Sequence, residues 1–562
     1  MKKGKSGLVP IIKKTSFLSL LFLLYLSYAD IPLYSADLDD IYKPLIKKNR
    51  VLYKGEFDYF QLEEDGIHGS ALYDEFYSTP RIFTFANALR FALFPFIDVT
   101  LGLNEALPSS YKRFTYDPGD VLASVQRYQI DSFEDYNVDV RMRGKPIELR
   151  VAFSEKRQKA DWRWGPDPNM PPTYFSYIRT HYEELDAEAR YLSDPESSKD
   201  KSALSQIDRP LMDKDQVNLE AGLGYRAGEL NRNSPYYIFN RYYNFRHSLK
   251  PHLIPKVVIR YGACEDLELE GGLVYTTPIV YEYDYKQFFS NGTNSITSGV
   301  YTIDNNFYAP LAVRARFYDD FEAMLSSDFR FTNQSIDYLK KNPNGTDTLY
   351  PSLGMAYFNM QPALRLTYVY DANKQIVKDE LSSISKTLLL KNQFLLEGKY
   401  LRDITYLNKF LDDGCQNISD PYNVFLYPLD YFVSGTEYAT FYAGNTSNFE
   451  ANVLPQNYHR VNFKFVYGLS DTVNVGLGYG FQSHSTLHHF TLYDLTNRFY
   501  KFNAYHFFDP EADWKITKDS MLSFKAHIVP RYLTYMENNG NPKEFREKTK
   551  YINMSVALKM LF

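Results

Sequence analysis

Cysteine is nearly absent from this sequence: its 562 residues include only two, Cys264 and Cys415. That excludes a disulfide-dense secreted scaffold and any cysteine-rich metal or redox motif. Long apolar runs are missing too, and the mean hydropathy is −0.41, which excludes a bundle of membrane-spanning helices, each needing about 20 apolar residues. The formal charge of −5 carries no basic stripe, so nucleic acid is not an expected partner. A phosphate loop, a dinucleotide fingerprint, a Cys-x-x-Cys pair and a nucleophile elbow are all lacking. The chain is therefore read as a non-enzyme without cofactors. His484, His488 and His489 cluster, but period-two geometry splits the last two and no acid joins them at ligand spacing, so no metal site is assigned.

Aromatic residues are abundant. Tyr (50) and Phe (41) dominate a 17% aromatic content. Soluble proteins rarely carry this much Tyr, whereas membrane barrels place such residues in girdles at both lipid–water interfaces. The N-terminus reads as an export signal: Lys2, Lys3, Lys5, Lys13 and Lys14, then an apolar run from Phe17 to Leu26, then Ser27-Tyr28-Ala29 before Asp30. The run is about ten residues, too short to span a bilayer as a helix. Residues 1–29 are thus expected to be a signal peptide and 30–562 the mature domain, with a permanent anchor as the alternative. Cleavage would remove five Lys and no acid, taking the charge from −5 to −10.

Alternation of apolar and polar residues runs through the rest. Val257, Ile259 and Tyr261 lead into a turn at Gly262–Asp266, and Leu267, Leu269, Gly271, Leu273 and Tyr275 lead out. Val461, Phe463, Phe465 and Tyr467 do the same around Gly468–Asp471, ahead of Val473, Val475, Leu477, Tyr479 and Phe481. Both reversals carry Tyr-Gly followed by Asp, which suits a tight turn. Further short turns are expected at Phe94-Pro95, Gly144-Lys145, Tyr318–Asp320 and Gln361-Pro362. Polar connections are expected at 105–135, 155–215, 281–300, 334–348, 372–386, 412–450 and 537–547. The segment 155–215 is the least strand-like and reads as a long loop insertion at the surface, with a lumenal plug as the alternative.

The strongest local pattern is the last one. Ile552, Met554, Val556, Leu558, Met560 and Phe562 share one face, with Asn553, Ser555, Ala557 and Lys559 on the other. This resembles the C-terminal strand of Gram-negative outer-membrane β-barrel proteins of the porin-like type. The resemblance implies that those six residues form an assembly signal read by the barrel-assembly machinery. It also implies outer-membrane lipid and lipopolysaccharide as surroundings. The implied fold is all-β: one transmembrane antiparallel barrel of about 16–20 strands, with short periplasmic turns and long extracellular loops. On that plan Cys264 and Cys415 lie at opposite rims and stay free thiols.

The polar faces carry Arg260, Glu268, Glu270, Arg314, Arg316, Glu322, Asp328, Arg330, Arg365, Lys464 and Lys525. Facing lipid, an Arg or Lys costs roughly 2–4 kcal/mol at the midplane, so in a barrel these charges face inward. Arg260, Glu268, Glu270, Arg314, Arg316, Glu322, Arg330, Arg365 and Lys464 are the candidate pore-lining residues. Each is open to two readings: a cross-strand pair that holds the wall, or part of a selective constriction. A wet, charged lumen would make the protein a channel for small hydrophilic solutes. A non-conducting barrel that acts through its surface loops, as an adhesin or structural protein, is the other reading, and a soluble exported all-β protein is a third.

Overall fold

The computed structural model describes residues 50–562 other than 69–73, 78–80, 108, 117–121, 145, 166–173, 192–203, 205–210, 239–240, 290–293, 342–346, 371–387, 412–449, 453–456, 492–496 and 539–540. The expected signal peptide and Cys415 lie outside the described residues.

Alternating sequence becomes strand almost everywhere. In chain order the segments are β1 (Val51–His68), β2 (Asp74–Tyr77), β3 (Arg81–Phe94), β4 (Ile97–Ala106), β5 (Ser109–Tyr116), β6 (Leu122–Gly144), β7 (Ile147–Gly165) and β8 (Tyr174–Tyr191). Then come β9 (Val217–Ile238), β10 (Arg241–Cys264), β11 (Leu267–Thr276), β12 (Ile279–Phe289), β13 (Asn294–Tyr318), β14 (Phe321–Lys341) and β15 (Asp347–Tyr370). The remainder are β16 (Phe394–Arg402), β17 (Ile404–Leu411), β18 (Glu450–Asn452), β19 (His459–Ser470), β20 (Val473–Gln482), β21 (Ser485–Thr491), β22 (Asn497–Phe502), β23 (Tyr505–Thr517), β24 (Ser520–Asn538) and β25 (Asn541–Leu561).

Every neighbouring pair is antiparallel, and the sheet closes on itself. Leu52 of β1 lies opposite Leu561 of β25, and Val51 and Phe562 exchange both backbone hydrogen bonds, at 3.1 and 2.9 Å. Broken segments such as β16 and β17 share one stave, both pairing with β15. Counted as staves, the described residues form an 18-strand barrel. Eighteen strands about 4.8 Å apart and tilted roughly 40° enclose a ring roughly 35 Å across.

Two-residue turns at Pro95-Phe96, Glu265-Asp266, Asp319-Asp320, Asp471-Thr472 and Lys518-Asp519 all lie at one rim, the rim that also holds Val51 and Phe562. That rim is periplasmic in barrels of this kind. Two longer connections, 192–216 and 371–393, join strands at the same rim.

The periodicity sorts the two faces. Leu149, Val151, Leu219, Ile259, Val313 and Leu477 point outward and are exposed, and Tyr191, Phe317, Tyr318 and Phe562 ring the lower rim. A continuous apolar surface of this extent is unstable in water and is satisfied by lipid. With charged residues inside and apolar residues outside, the closed sheet is an outer-membrane β-barrel.

Three expectations change. Pro362 is not a turn: β15 runs straight through it, with Pro362 opposite Ser327. The stave on its other side breaks at Asp403, between β16 and β17, so the ladder is interrupted where proline has no N–H to give. Much of 155–215 is also strand, as the upper part of β7 and all of β8. The stretches 105–135, 281–300, 334–348 and 537–547 are largely the upper parts of staves. Strands of up to 25 residues far exceed the 9–11 needed to cross lipid. Above the bilayer both strand faces meet water, so the alternation that marks a strand disappears from the sequence.

Candidate functional site

The inner wall is the candidate site, and alternation puts all nine predicted lining residues on it. Most of them, however, are not in open water. Arg260 is 2% exposed and Glu268 1%, and Arg314, Arg316 and Glu322 are buried too. Glu322 on β14 accepts from Arg314 at 2.5 Å and Arg316 at 2.9 Å on β13, with Arg365 of β15 at 3.6 Å. Arg260 donates to Glu270 at 2.8 Å across the β10–β11 pair. Lys464 of β19 meets Glu511 of β23 at 3.0 Å and is more open. Arg330 sits over the Tyr308 ring at 5.4 Å.

A second cluster continues this layer around the wall, and the sequence reading missed it. Glu148 of β7 meets Arg141 and Arg143 of β6 at 3.2 and 3.1 Å. Arg190 of β8, 1% exposed, reaches Glu188 at 3.0 Å and Glu220 of β9 at 3.1 Å. Lys256 of β10 closes the group, 2.6 Å from Glu188 and 3.1 Å from Glu220. The signal was present as Leu185, Ala187, Ala189 and Tyr191 alternating with Asp186, Glu188 and Arg190. It was masked by the density of acids, which reads as a solvated loop. Each carboxylate here faces two or more cations, which offsets the cost of holding charges out of water.

Described residues of the two long lower connections lie inside the lower rim. Leu204, Leu211 and Met212 of the first, and Leu388 and Leu389 of the second, are buried. Leu204 packs with Leu389, Val369 of β15 and Val466 of β19, on the wall away from its own flanking strands β8 and β9. Leu388 packs with Met521 of β24 and Leu561 of β25, against Leu52 and Ala92. The Met212 backbone N–H donates to Glu268 at 3.1 Å. Each connection therefore reaches inside and touches a distant part of the wall.

The last-strand residues stand where alternation put them: Val556 and Phe562 are exposed on the lipid side, while Leu561 is buried inward. Cys264 is exposed at the lower rim. His484 is exposed where β20 ends, and His488 and His489 occupy successive positions of β21. Among the described residues, Glu155, His181 and Glu183 form a trio whose ligand atoms lie within 4.8 Å of one another. It stands on the outer face of β7 and β8, and Arg157 already donates to Glu155 at 2.7 Å.

No family model matches the chain, and no curated protein matches it. Among solved structures the overlaps are with other proteins of bacterial envelopes. The chain is similar to the ferric yersiniabactin uptake receptor FyuA from Yersinia pestis, at 11% identity over 92% of this chain and 81% of that one, with a TM-score of 0.41. It is similar to the siderophore receptor PiuA from Acinetobacter baumannii, at 8% identity, 92% and 82% coverage and a TM-score of 0.38. The Pseudomonas putida toluene transporter TodX follows at 8% identity, 93% coverage of both chains and a TM-score of 0.33. Those overlaps are shallow, and the membrane assignment rests on the apolar exterior and charged interior of the barrel itself.

Proposed function

We propose that this barrel is an outer-membrane channel for small hydrophilic solutes. The observation that carries the reading is an inner wall that bears charged and polar side chains on staves from β1 round to β25, with apolar clusters among them, while the outer wall exposes apolar ones. Such a wall favours water and polar solutes over hydrocarbon, and its dense ion pairs hold the staves in register. Because most of the lower charges are already paired, selectivity would come from the more open Arg330, Arg365 and Lys464. Outside, lipopolysaccharide would meet the basic side chains of Arg157, Arg179 and Arg246, above the apolar band.

Single-channel conductance of the detergent-folded protein in a planar bilayer tests this. Discrete current steps are expected, smaller than an unobstructed barrel of this circumference would pass. Reversal potentials in a salt gradient would then give the sign of selectivity. A second reading is favoured by the two covering connections: a non-conducting barrel that works through its surface loops. Silence from inserted, heat-modifiable protein would establish that reading and overturn the channel.

A further inference from the structure

The Tyr-Gly pair that marks two reversals in the sequence does not itself turn the chain. Each Tyr-Gly instead receives one of the two inward connections, and the two receptions match contact for contact. The first connection enters β9 through Asp213-Lys214-Asp215-Gln216, and the second enters β16 through Leu390-Lys391-Asn392-Gln393. Downstream the likeness continues, as Leu219-Glu220-Ala221 and Leu396-Glu397-Gly398.

In the first copy, Gln216 N–H donates to the Asp213 carbonyl at 3.0 Å, and Asp213 N–H donates to the Gln216 side-chain oxygen at 3.1 Å. The second copy has Gln393 N–H to the Leu390 carbonyl at 3.1 Å and Leu390 N–H to the Gln393 oxygen at 2.7 Å. Asp215 and Asn392 both take positive φ, 63° and 67°, which Asp and Asn tolerate better than other side chains. Their N–H groups donate to the Gly262 and Gly468 carbonyls at 2.8 and 2.9 Å. Tyr261 and Tyr467 hydroxyls donate to the Asp215 and Asn392 side chains at 3.0 and 2.9 Å. A Cβ on Gly262 would stand 2.1 Å from the Asp213 carbonyl oxygen, and one on Gly468 2.0 Å from that of Leu390. Glycine is required at both places because the hook backbone lies against it.

We infer that these are twin hooks that turn the chain into the lumen, and that together they seat a two-part hydrophobic plug, Leu204, Leu211 and Met212 with Leu388 and Leu389, in the periplasmic mouth. Four features of the structure support the inference. The hooks are duplicated in sequence and in hydrogen bonding. Both point the chain inward, since the residues just before them, Leu211, Met212, Leu388 and Leu389, are buried. Leu204 and Leu389, from different connections, share one apolar cluster. Finally, Arg260, Glu268, Arg314 and Glu322 are at most 2% exposed. As a control on passage the inference rests on the channel reading; as a statement about where the connections sit it does not.

The test uses the full chain with Cys264→Ser and Cys415→Ser, and a reporter thiol at Leu204→Cys. One variant carries Gln216→Ala and Gln393→Ala; a second carries Gly262→Ala and Gly468→Ala, which presses on the hook backbone and leaves its side chains intact. Retained heat-modifiable migration in SDS shows that each is folded. Maleimide labelling of Leu204→Cys should be slow with intact hooks and at least tenfold faster in both variants, and the unitary conductance should rise severalfold. Unchanged labelling in both folded variants would overturn the hooks, whatever the conductance. Faster labelling with every protein silent would keep the hooks and discard the channel. Faster labelling with unchanged, measurable conductance would overturn the plug as the barrier to passage.

Discussion

Replacing Glu322 by alanine removes a carboxylate shared by three guanidinium groups. Its side chain is 2% exposed and lies 2.5 and 2.9 Å from Arg314 and Arg316, with Arg365 at 3.6 Å. Arg314 and Arg316 are themselves covered, so their charges cannot turn to water when the carboxylate goes. Removing one partner from a buried pair costs about 3–5 kcal/mol, most of it the penalty of the charge left behind. The Lys464–Glu511 pair, at 3.0 Å, has its Lys side chain 34% exposed. Solvent screens it, so Lys464→Met should cost about 0–1 kcal/mol. Equilibrium urea unfolding in lipid vesicles, followed by Trp fluorescence, measures both on one scale. Glu322→Ala should lower the midpoint several times further than Lys464→Met. Equal, small losses would mean that the lower lumen is hydrated and that the covering connections do not exclude water, and the reasoning would fail.

Lipid exposure of the outer wall predicts that Leu477→Lys loses roughly 2–4 kcal/mol if it sits near the midplane; full refolding yield and an unchanged urea midpoint would contradict it. Phe507 faces inward, fully buried, with the Arg460 guanidinium 4.6 Å from its ring. Phe507→Ala should therefore cost about 3–5 kcal/mol, read by the same unfolding assay, and a loss below 1 kcal/mol would show that the ring is not packed. Cys264 is exposed at the lower rim, so in a Cys415→Ser background a bulky maleimide should label it only once the periplasmic side is opened. Labelling on intact cells would invert the barrel.

Where lipid imposes period two, the sequence is explicit. The β10–β11 and β19–β20 hairpins stand where alternation places them, and the inner face falls out of it: Arg260, Glu268, Arg314 and Glu322 all point inward. The upper staves were hidden because water on both sides removes the constraint, and β8 because its inward acids read as a loop. Pro362 misled because a missing N–H reads as a turn, while here the neighbouring stave is broken opposite it at Asp403. Burial of the lining charges was illegible for another reason. It goes with connections that turn inward, and Leu204 and Leu388 make their contacts on distant staves, which leaves no local trace. The hooks did leave one, in Lys214-Asp215-Gln216 and Lys391-Asn392-Gln393, but its meaning depends on glycines 46 and 75 positions further on at Gly262 and Gly468.

The closure of β1 on β25 sets a constraint in time as well as in space. Ser555 donates to Glu56 at 2.6 Å across 499 positions of chain, so the rung that seals the sheet joins residues separated by nearly the whole domain. Bringing such distant segments together from a free chain costs on the order of 5 kcal/mol in loop-closure entropy. Until β25 arrives, β1 and β24 each show an unpaired edge, and an open edge is a template for pairing with another chain. Sealing cannot proceed stave by stave with partial reward, since seventeen staves still leave two raw borders. The protein is therefore vulnerable for the whole interval between synthesis and sealing, and survival of that interval depends on shielding that the barrel cannot supply for itself.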